Sequence, residues 1–342
     1  MAIEMIAAAD DEGRRLDRLL RKALPELPLS AVHRLLRKGR VLADGVPAKA
    51  PDRIAAGTRI QVLDGPGTLP PPAAASAGGP SPAPGKPSPR PSRRPLRPPP
   101  RTPPDILWEG AGLLIVNKPP GIAVHGEGSL ESQVRSYLAG RLPPSLSFRP
   151  GPLHRLDKPT SGLVVFSTSL EGARYFSALI REGGVKKRYL ALVDGIIGEP
   201  EIWEDLLLRD GPGRKTLVVP CSGPETREAR TRVFPLAASG AHTLILAEID
   251  TGRTHQIRAQ AGAHGHPLSG DGKYGGSPCR DGLLLHAHSL EFPLPPGDSP
   301  PERIRAPVPA AFRRRIGLLF KKKIAKSPDS YSQDLALDDI IR

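Results

Sequence analysis

The chain has 342 residues, with 49 lysines and arginines against 35 aspartates and glutamates, for a formal net charge of +14. At about 100–200 residues per domain this length predicts two domains, and two cysteines exclude a disulfide framework or a cysteine-rich zinc site. No apolar run approaches the roughly 20 residues that cross a bilayer, and the acidic N-terminal stretch is unlike a signal peptide, so we expect a cytoplasmic protein with no membrane contact.

Charge and composition divide the chain into four segments. Basic and acidic side chains number 12 and 8 in residues 1–63, 6 and 1 in 64–104, 23 and 22 in 105–312, and 8 and 4 in 313–342. Proline supplies 16 of the 41 residues in 64–104, which predicts a disordered basic linker. We therefore expect a small N-terminal domain, this linker, a large domain and a disordered basic tail. Basic segments around a neutral centre favour a polyanionic partner, with ordinary solubility charge as the alternative.

The N-terminal segment predicts two short helices followed by a hairpin. Two apolar stripes have helical spacing: Leu16, Leu19, Leu20 and Ala23, then Val32, Leu35 and Leu36. Ser30 is the predicted cap of the second helix, and Gly39 marks its end. The pair Asp44 and Gly45 is a hairpin turn signal.

A basic cluster lies at the end of the second predicted helix, formed by Arg34, Arg37 and Lys38. Such a helix face is suited to RNA phosphates, and a solvated surface is the alternative. The patterns R-L-D-x-L-L, L-L-R-K-G-R-V and G-T-R-I resemble the small RNA-binding module first named from a protein of the ribosomal small subunit. This resemblance implies that residues 1–63 form an α/β-hairpin domain that binds RNA.

The large domain alternates apolar runs with loops. The runs predict strands over Leu113–Val116, Leu163–Phe166, Tyr189–Val193, Arg227–Phe234 and Leu244–Ile249, and helices over Ser169–Arg181 and Arg253–His264. Strands outnumber helices and are not separated by regular helical crossovers. The fold class is therefore α+β, with a mixed, mostly antiparallel sheet.

The sequence H-R-L-D-K-P-T-S-G at 154–162 places polar residues directly before a buried strand. Asp157 stands between Arg155 and Lys158, and cationic neighbours favour the ionised form of a carboxyl group. This pattern suits a carboxylate that does nucleophilic, base or electrostatic work. A loop aspartate that caps a turn is the alternative.

Two further motifs carry charge near predicted strand and helix ends. T-G-R-T-H-Q-I-R at 251–258 contains Arg253 and Arg258, which helical spacing cannot place on one face, so that one can reach Asp157 while the other faces phosphate. K-K-R-Y-L-A-L-V at 186–193 brings Tyr189 into a strand behind three cations. Surface arginines and a core tyrosine are the alternatives.

The order of these motifs resembles the RluA-type pseudouridine synthases, and with the N-terminal module attached it looks most like the branch that modifies large-subunit (23S) ribosomal RNA. The motifs are H-R-L-D-x-x-T-S-G, K-x-Y-L-A-L-V, T-G-R-T-H-Q-I-R, G-D-x-x-Y-G and L-x-L-H-A. The resemblance covers residues 10–63 and 105–312. It implies an enzyme that isomerises uridine and needs no metal, nucleotide or redox cofactor. For an enzyme with one substrate site on a large RNA, we expect a monomer.

The resemblance also assigns roles. It implies that Asp157 is the catalytic aspartate, that Tyr189 packs on the target base and is implicated in removing the proton from carbon 5, and that Arg258 pairs with the aspartate. Arg155 matches the arginine that enters the space left by the flipped uridine. His154 and Arg253 complete the expected RNA-contacting set.

The sequence also allows three alternative hypotheses about function. Histidines at 264, 266, 286 and 288 could bind a metal, but they lack the spacing of known zinc motifs. A non-catalytic RNA-binding protein would have lost the aspartate, tyrosine or arginine, and all three are present. Transfer RNA as the target is the third reading, since sister branches have nearly the same active site.

Overall fold

The computed structural model describes residues 2–63, 103–211, 215–293 and 300–320, and the chain divides into two compact units. The first unit contains the N-terminal segment together with Gly140–Arg149, and the second contains the rest of the large domain. Most of the expected linker, and the expected tail from residue 321 onward, lie outside the described residues. In the described ranges, no helix combines the length and apolar composition that crossing a membrane requires.

The first unit has two helices and short strands. Its elements are β1 (Ile3–Ile6), β2 (Arg14–Arg15), α1 (Leu16–Ala23), α2 (Leu29–Arg37), β3 (Val41–Ala43), β4 (Val46–Pro47), β5 (Arg53–Ile54) and β6 (Arg59–Val62). One sheet has the order β1-β6-β3-β4, and β2 pairs with β5. The two predicted apolar stripes pack in one core. Asp44 and Gly45 both have positive φ, as the hairpin turn between β3 and β4 requires.

Two details of this unit differ from the sequence expectation. The second helix begins at Leu29 after Pro28, so Ser30 lies inside its first turn and is not its cap. The expected boundary also missed the segment Gly140–Arg149. Its Ser147 backbone N–H, 2.9 Å away, and Leu146 N–H, 3.0 Å away, donate to the buried Asp11 carboxylate, which ties this segment to the N-terminal core.

The second unit is built on one mixed sheet. Its elements are β7 (Asp105–Gly110), β8 (Leu113–Lys118), α3 (Leu130–Leu138), β9 (Gly151–Pro152), β10 (Ser161–Ser167), α4 (Leu170–Arg181), β11 (Lys186–Asp194), β12 (Glu201–Asp210), β13 (Lys215–Val219), β14 (Arg227–Ser239), β15 (His242–Ile249), α5 (Gln256–Ala263), β16 (Leu285–Glu291), β17 (Arg303–Arg305) and α6 (Ala310–Phe320). The strand order is β13-β12-β14-β15-β11-β16-β10-β8-β7, with β9 and β17 beside it. This is the α+β fold that the sequence predicted.

The central strands are buried on both faces because helices cover each side. On one face, leucines of β11 and β15 pack against Phe312, Ile316 and Phe320 of α6. On the other, alternating residues of the same strands pack against Ile257 and Ala261 of α5. Burial on both faces explains why these strands are continuous apolar runs in the sequence.

The expectation of a disordered tail from residue 313 was wrong for residues 313–320, which belong to helix α6. Its apolar residues Phe312, Ile316 and Phe320 recur every four positions and are buried, so they form one stripe of a helix. The basic residues between and after them dominate the composition and concealed this stripe. The chain from 313 to 320 therefore belongs to the core of the large unit.

Strands β10 and β16 form a parallel pair within this otherwise antiparallel sheet. Gly162 pairs with Ala287 and has a φ of +110°. A Cβ atom at Gly162 would lie 2.1 Å from the carbonyl oxygen of Ala287. The close approach of these two strands therefore requires glycine at this position.

We expect Gly162→Ala to lower the free energy of unfolding by about 3 kcal/mol, through backbone strain and overpacking. Urea denaturation followed by circular dichroism measures the change. Gly198→Ala is the matched control, because nothing lies within 4 Å of a Cβ added there, and it should stay within about 0.5 kcal/mol of the wild type. Equal stability of the two variants would contradict the argument.

Candidate active site

Asp157 lies in the loop that leads into the parallel strand pair. The loop closes with a hydrogen bond from the Thr160 N–H to the Asp157 carbonyl oxygen at 3.1 Å, and Leu156 is buried beneath it. The Asp157 side chain is 17% exposed, so the carboxylate reaches solvent from a largely buried position. It opens into a cleft that the sheet and the N-terminal end of α5 line together.

Lys118 supports this loop from inside the protein. Its side chain is fully buried, and its ammonium group donates to three carbonyl oxygens, of Pro119 at 2.9 Å, Ile122 at 2.9 Å and Lys158 at 3.2 Å. Burial lowers the pKa of Lys118 to about 8, and the negative charge of Asp157 opposes that shift. The residue after Asp157 is thus bonded to a lysine at the end of β8.

Arg258, on α5, bridges two carboxylates. It donates from Nη1 to Asp157 Oδ2 at 2.9 Å, and from Nε and Nη2 to the two oxygens of Asp271 at 2.7 and 2.8 Å. Burial alone lowers the pKa of Arg258, but its bonds and attraction to both aspartates more than offset this and raise it. Its guanidinium group is therefore permanently charged and held in one orientation.

The two oxygens of Asp157 have different surroundings. Oδ2 accepts the bond from Arg258 and lies 3.6 Å from His255 Nε2. Oδ1 accepts no hydrogen bond from the residues that the structure describes. One oxygen is therefore held by the protein, and the other is available to a molecule in the cleft.

His255 completes the contacts of Asp157. Its Nδ1 lies 2.7 Å from the hydroxyl of Tyr274, and that hydroxyl oxygen accepts the N–H of Thr216 at 2.9 Å. If the Tyr274 hydroxyl donates its one hydrogen to Nδ1, the hydrogen of a neutral His255 lies on Nε2, facing Asp157. Burial lowers the pKa of His255 and so favours the neutral form of the ring. The attraction of Asp157 opposes that shift.

Three further side chains that the sequence singled out line the same cleft. Tyr189 is on β11, and burial together with the charge of Asp157 raises the pKa of its phenol well above the ordinary value. Arg155 is exposed and makes no hydrogen bond or ion pair within the described ranges. Arg253 is exposed as well, and its Nε donates to the carbonyl oxygen of Glu228 at 3.1 Å.

Comparison with known proteins finds relatives that span most of the chain. The family model of RNA pseudouridylate synthase matches residues 112–263. Ribosomal large subunit pseudouridine synthase C of Vibrio cholerae serotype O1 is 32% identical over 316 residues, which cover 90% of this chain and 93% of that protein. Ribosomal large subunit pseudouridine synthase D of Neisseria meningitidis serogroup A is 31% identical over 90% of this chain and 79% of that protein.

The chain belongs to the RNA pseudouridylate synthase family. It is therefore an isomerase that acts on RNA. Among solved structures, Human RNA Pseudouridylate Synthase Domain Containing 1 covers 70% of this chain and 98% of that chain, with a TM-score of 0.54 and 23% identity. That likeness shows that the fold is shared.

Other predicted residues of this synthase lie outside the cleft. His154 was expected to contact RNA, but its Nε2 accepts the Val165 N–H at 3.0 Å and its ring stacks on Phe176. Burial, with the charge of Lys187, lowers its pKa to about 4, so a neutral His154 supports strand β10 instead. The basic residues Arg34, Arg37 and Lys38 are exposed on and just after α2 in the first unit.

The synthase site also contains residues that sequence reasoning had not assigned. Asp271 and Tyr274 belong to G-D-G-K-Y-G, a motif of the family resemblance that gave neither residue a role, and Lys118 lies in N-K-P-P-G at 117–121. The lysine that ends an apolar strand was the available signal for Lys118. No sequence signal could join Asp271 to Arg258, because the contact depends on how the loop after α5 folds back.

The histidines considered as metal ligands lie at separate places. His286 and His288 are buried in β16, while His264 pairs with Asp205 at 3.1 Å and stacks on Trp203. Within the described residues, no group of three or more histidine, cysteine, aspartate or glutamate side chains is arranged to hold a metal ion.

We expect Asp271→Asn to reduce kcat by about ten- to a hundredfold with little change in KM. The variant keeps the shape of the side chain but removes the charge that orients Arg258, and a misplaced Arg258 misplaces Asp157. Steady-state release of tritium from uridine labelled at carbon 5 measures both constants. The control is Asp281→Asn, which removes an aspartate paired with Arg314 at 3.3 Å; a similar loss in both variants would contradict the role of Asp271.

Proposed function

We propose that this enzyme converts uridine to pseudouridine in large-subunit ribosomal RNA, with Asp157 as the catalytic carboxylate. The observation that carries the proposal is that the two oxygens of Asp157 have different hydrogen-bonding surroundings. Arg258 holds Oδ2, and Oδ1 is open to the cleft. The names of the related synthases support large-subunit RNA as the target.

The chemistry needs one well-placed carboxylate. The bond between uracil N1 and ribose C1′ breaks, a bond between C5 and C1′ forms, C5 loses a proton and N1 gains one. The ribose becomes electron-poor as the first bond breaks, and a carboxylate stabilises such a centre by attack or by charge. Oδ1 of Asp157 supplies that carboxylate. The reaction has no net redox change, and no cofactor enters the scheme.

Tyr189 presents its ring to the uracil in this proposal. Its phenol remains protonated in the free enzyme because burial and Asp157 disfavour the phenolate. A protonated phenol can pack on a base and donate a hydrogen bond, and in this scheme it does not act as the base for the C5 proton. We assign that proton to the open oxygen of Asp157.

The target uridine must leave its stack to reach Asp157, which costs a few kcal/mol. Arg155 and Arg253 are exposed cations at the rim of the cleft. We propose that Arg155 occupies the space left in the RNA, as the family resemblance implies, and that Arg253 contacts a phosphate. Both roles place positive charge against RNA at the point where the base is extruded.

The first unit contributes affinity in this proposal. Arg34 and Arg37 are three residues apart on α2, and Lys38 follows them directly. All three are exposed and form no ion pair with a carboxylate in the described part of the chain. Unpaired cations on one surface are suited to RNA phosphates.

RNA carrying tritium at C5 of uridine tests the reaction, because forming the C5–C1′ bond expels that hydrogen to water. We expect the full-length enzyme to release tritium from large-subunit ribosomal RNA, and Asp157→Asn to reduce the rate at least about a thousandfold, or about 4 kcal/mol of transition-state stabilisation. Asp281→Asn serves as the control, because Asp281 is an aspartate of similar exposure that pairs with Arg314 and Arg315 and does not line the cleft.

Bulk transfer RNA with the same label identifies the target class. Release of tritium from ribosomal RNA alone supports the proposal. Release from transfer RNA alone would show that transfer RNA is the target instead. Tight RNA binding with no release from either substrate would overturn the catalytic proposal in favour of a non-catalytic RNA-binding protein.

The RNA-binding role of α2 is tested with two double variants of the full chain. Arg34→Gln with Arg37→Gln should reduce the slope of log K against log salt by about 1.5, since each phosphate contact contributes about 0.7–0.9. Arg18→Gln with Arg21→Gln removes two exposed arginines with the same spacing on α1 and should leave the slope unchanged. Equal slopes for both double variants would refute the assignment to α2.

A further inference from the structure

A second cavity lies beside the active-site cleft. It has a volume of about 240 Å³, and Ile249, at the end of β15, lines both this cavity and the cleft of Asp157. Ile180 on α4 and Val185 just before β11 provide apolar wall. The volume is somewhat below the 300 Å³ or more of pockets for drug-sized ligands, so the cavity suits a smaller group.

One side of this cavity carries a fixed guanidinium group. Arg232 donates from Nη2 to both oxygens of Asp250, at 2.8 and 3.0 Å, and from Nη1 to Glu248. Glu248 also accepts a bond from Arg188 at 2.8 Å. The two carboxylates in the wall are therefore neutralised by arginines, and the plane of the Arg232 guanidinium is set. A guanidinium plane of this kind is a stacking surface for a nucleobase.

Lys187 is the charge in this cavity that has no such partner. It is partly buried, and its ammonium group makes no hydrogen bond or ion pair within 4 Å among the described residues. Burial lowers the pKa of Lys187, and only the more distant Asp250 opposes that shift. A partly desolvated, unpaired ammonium group is costly to the fold. An anionic ligand that pairs with the Lys187 ammonium group would explain why the lysine lies there.

Lys187 lies on the same strand, β11, as Tyr189 of the active-site cleft. Side chains two residues apart on a strand point to the same face and lie about 7 Å apart. Lys187 precedes Tyr189 by two residues, and the two pair with Ile249 and Ala247 on β15. A nucleotide that is adjacent in the RNA to the uridine against Tyr189 is therefore within reach of Lys187.

We propose that this cavity binds the RNA nucleotide next to the target uridine, with Lys187 on its phosphate and Arg232 against its base. The proposal rests on the function proposed above and adds a subsite to it. The guanidinium group of Arg232 is a surface for the base, the apolar wall is a surface for the ribose, and the ammonium group of Lys187 is a partner for the phosphate.

The test compares Lys187→Met with Arg174→Met in the full-length enzyme. Arg174 is an exposed cation on α4 outside the cavity, so its variant controls for loss of one positive charge. We expect Lys187→Met to raise KM for tritium-labelled large-subunit RNA about tenfold, as for the loss of a charged hydrogen bond, with kcat within about twofold. Arg174→Met should change neither constant by more than about twofold.

Thermal unfolding of the RNA-free protein separates a ligand-binding lysine from a structural one. If Lys187 is an unpaired ammonium that waits for a ligand, Lys187→Met keeps or raises the melting temperature, because the desolvated charge is removed. If the lysine instead holds Asp250 in place, Lys187→Met lowers the melting temperature. A lower melting temperature, with all RNA contacts kept, would overturn the proposal.

Ethylation of RNA phosphates locates the contact. Randomly ethylated large-subunit RNA is separated into bound and free fractions, and the phosphates at which ethylation blocks binding are mapped for each variant. We expect Lys187→Met to lose interference at one phosphate next to the uridine that the wild type modifies, while Arg174→Met keeps the wild-type pattern. An unchanged pattern in Lys187→Met overturns the subsite.

The binding map also separates this proposal from the proposed function. Should the wild type bind RNA but release no tritium, the catalytic proposal fails, and a phosphate that is lost only in Lys187→Met still identifies the cavity as an RNA contact. Should tritium be released and the interference pattern stay unchanged in Lys187→Met, the reaction stands and the subsite fails.

Discussion

The bridge that Arg258 makes between Asp157 and Asp271 is the constraint on which the active site depends. Two neighbouring carboxylates repel one another, and a cation between them removes that cost. Because Asp271 takes two of the three hydrogen bonds of Arg258, the arginine is fixed before it reaches Asp157. Asp157 is thereby oriented through one oxygen, and its second oxygen stays open.

The parallel pair of β10 and β16 explains why these groups meet. Antiparallel neighbours are joined by short turns, whereas a parallel pair needs a long connection between its strands. Here that connection contains β11 to β15 and α5, so it brings Arg258 and Asp271 back to the loop that precedes β10. Gly162 lets β10 approach β16 closely, five residues after Asp157. The glycine that the fold requires and the aspartate that the site requires therefore belong to one short segment.

Local pattern predicted the elements well and the contacts poorly. The two-residue alternation of Arg227–Phe234 and the apolar runs of β8, β10 and β15 identified strands, because burial acts on each residue separately. Motif order, through family resemblance, predicted the pairing of Asp157 with Arg258 that the structure contains. The bond between Asp271 and Arg258 and the stacking of His154 on Phe176 were not predictable, because each depends on a tertiary neighbour that periodicity does not encode. The apolar stripe of α6 is present in the sequence, but the basic residues around it concealed it.

Two lysines of the large unit are both desolvated, and they differ in the acceptors that surround their ammonium groups. Burial lowers the pKa of both Lys118 and Lys187. Lys118 donates to three carbonyl oxygens, which match the three hydrogens of its ammonium group, so the protein satisfies it completely. Lys187 has no comparable set of acceptors and faces a cavity. A fold that can satisfy one buried lysine fully leaves a second one unsatisfied at a cost, and an anionic group of the RNA is the partner that would recover that cost.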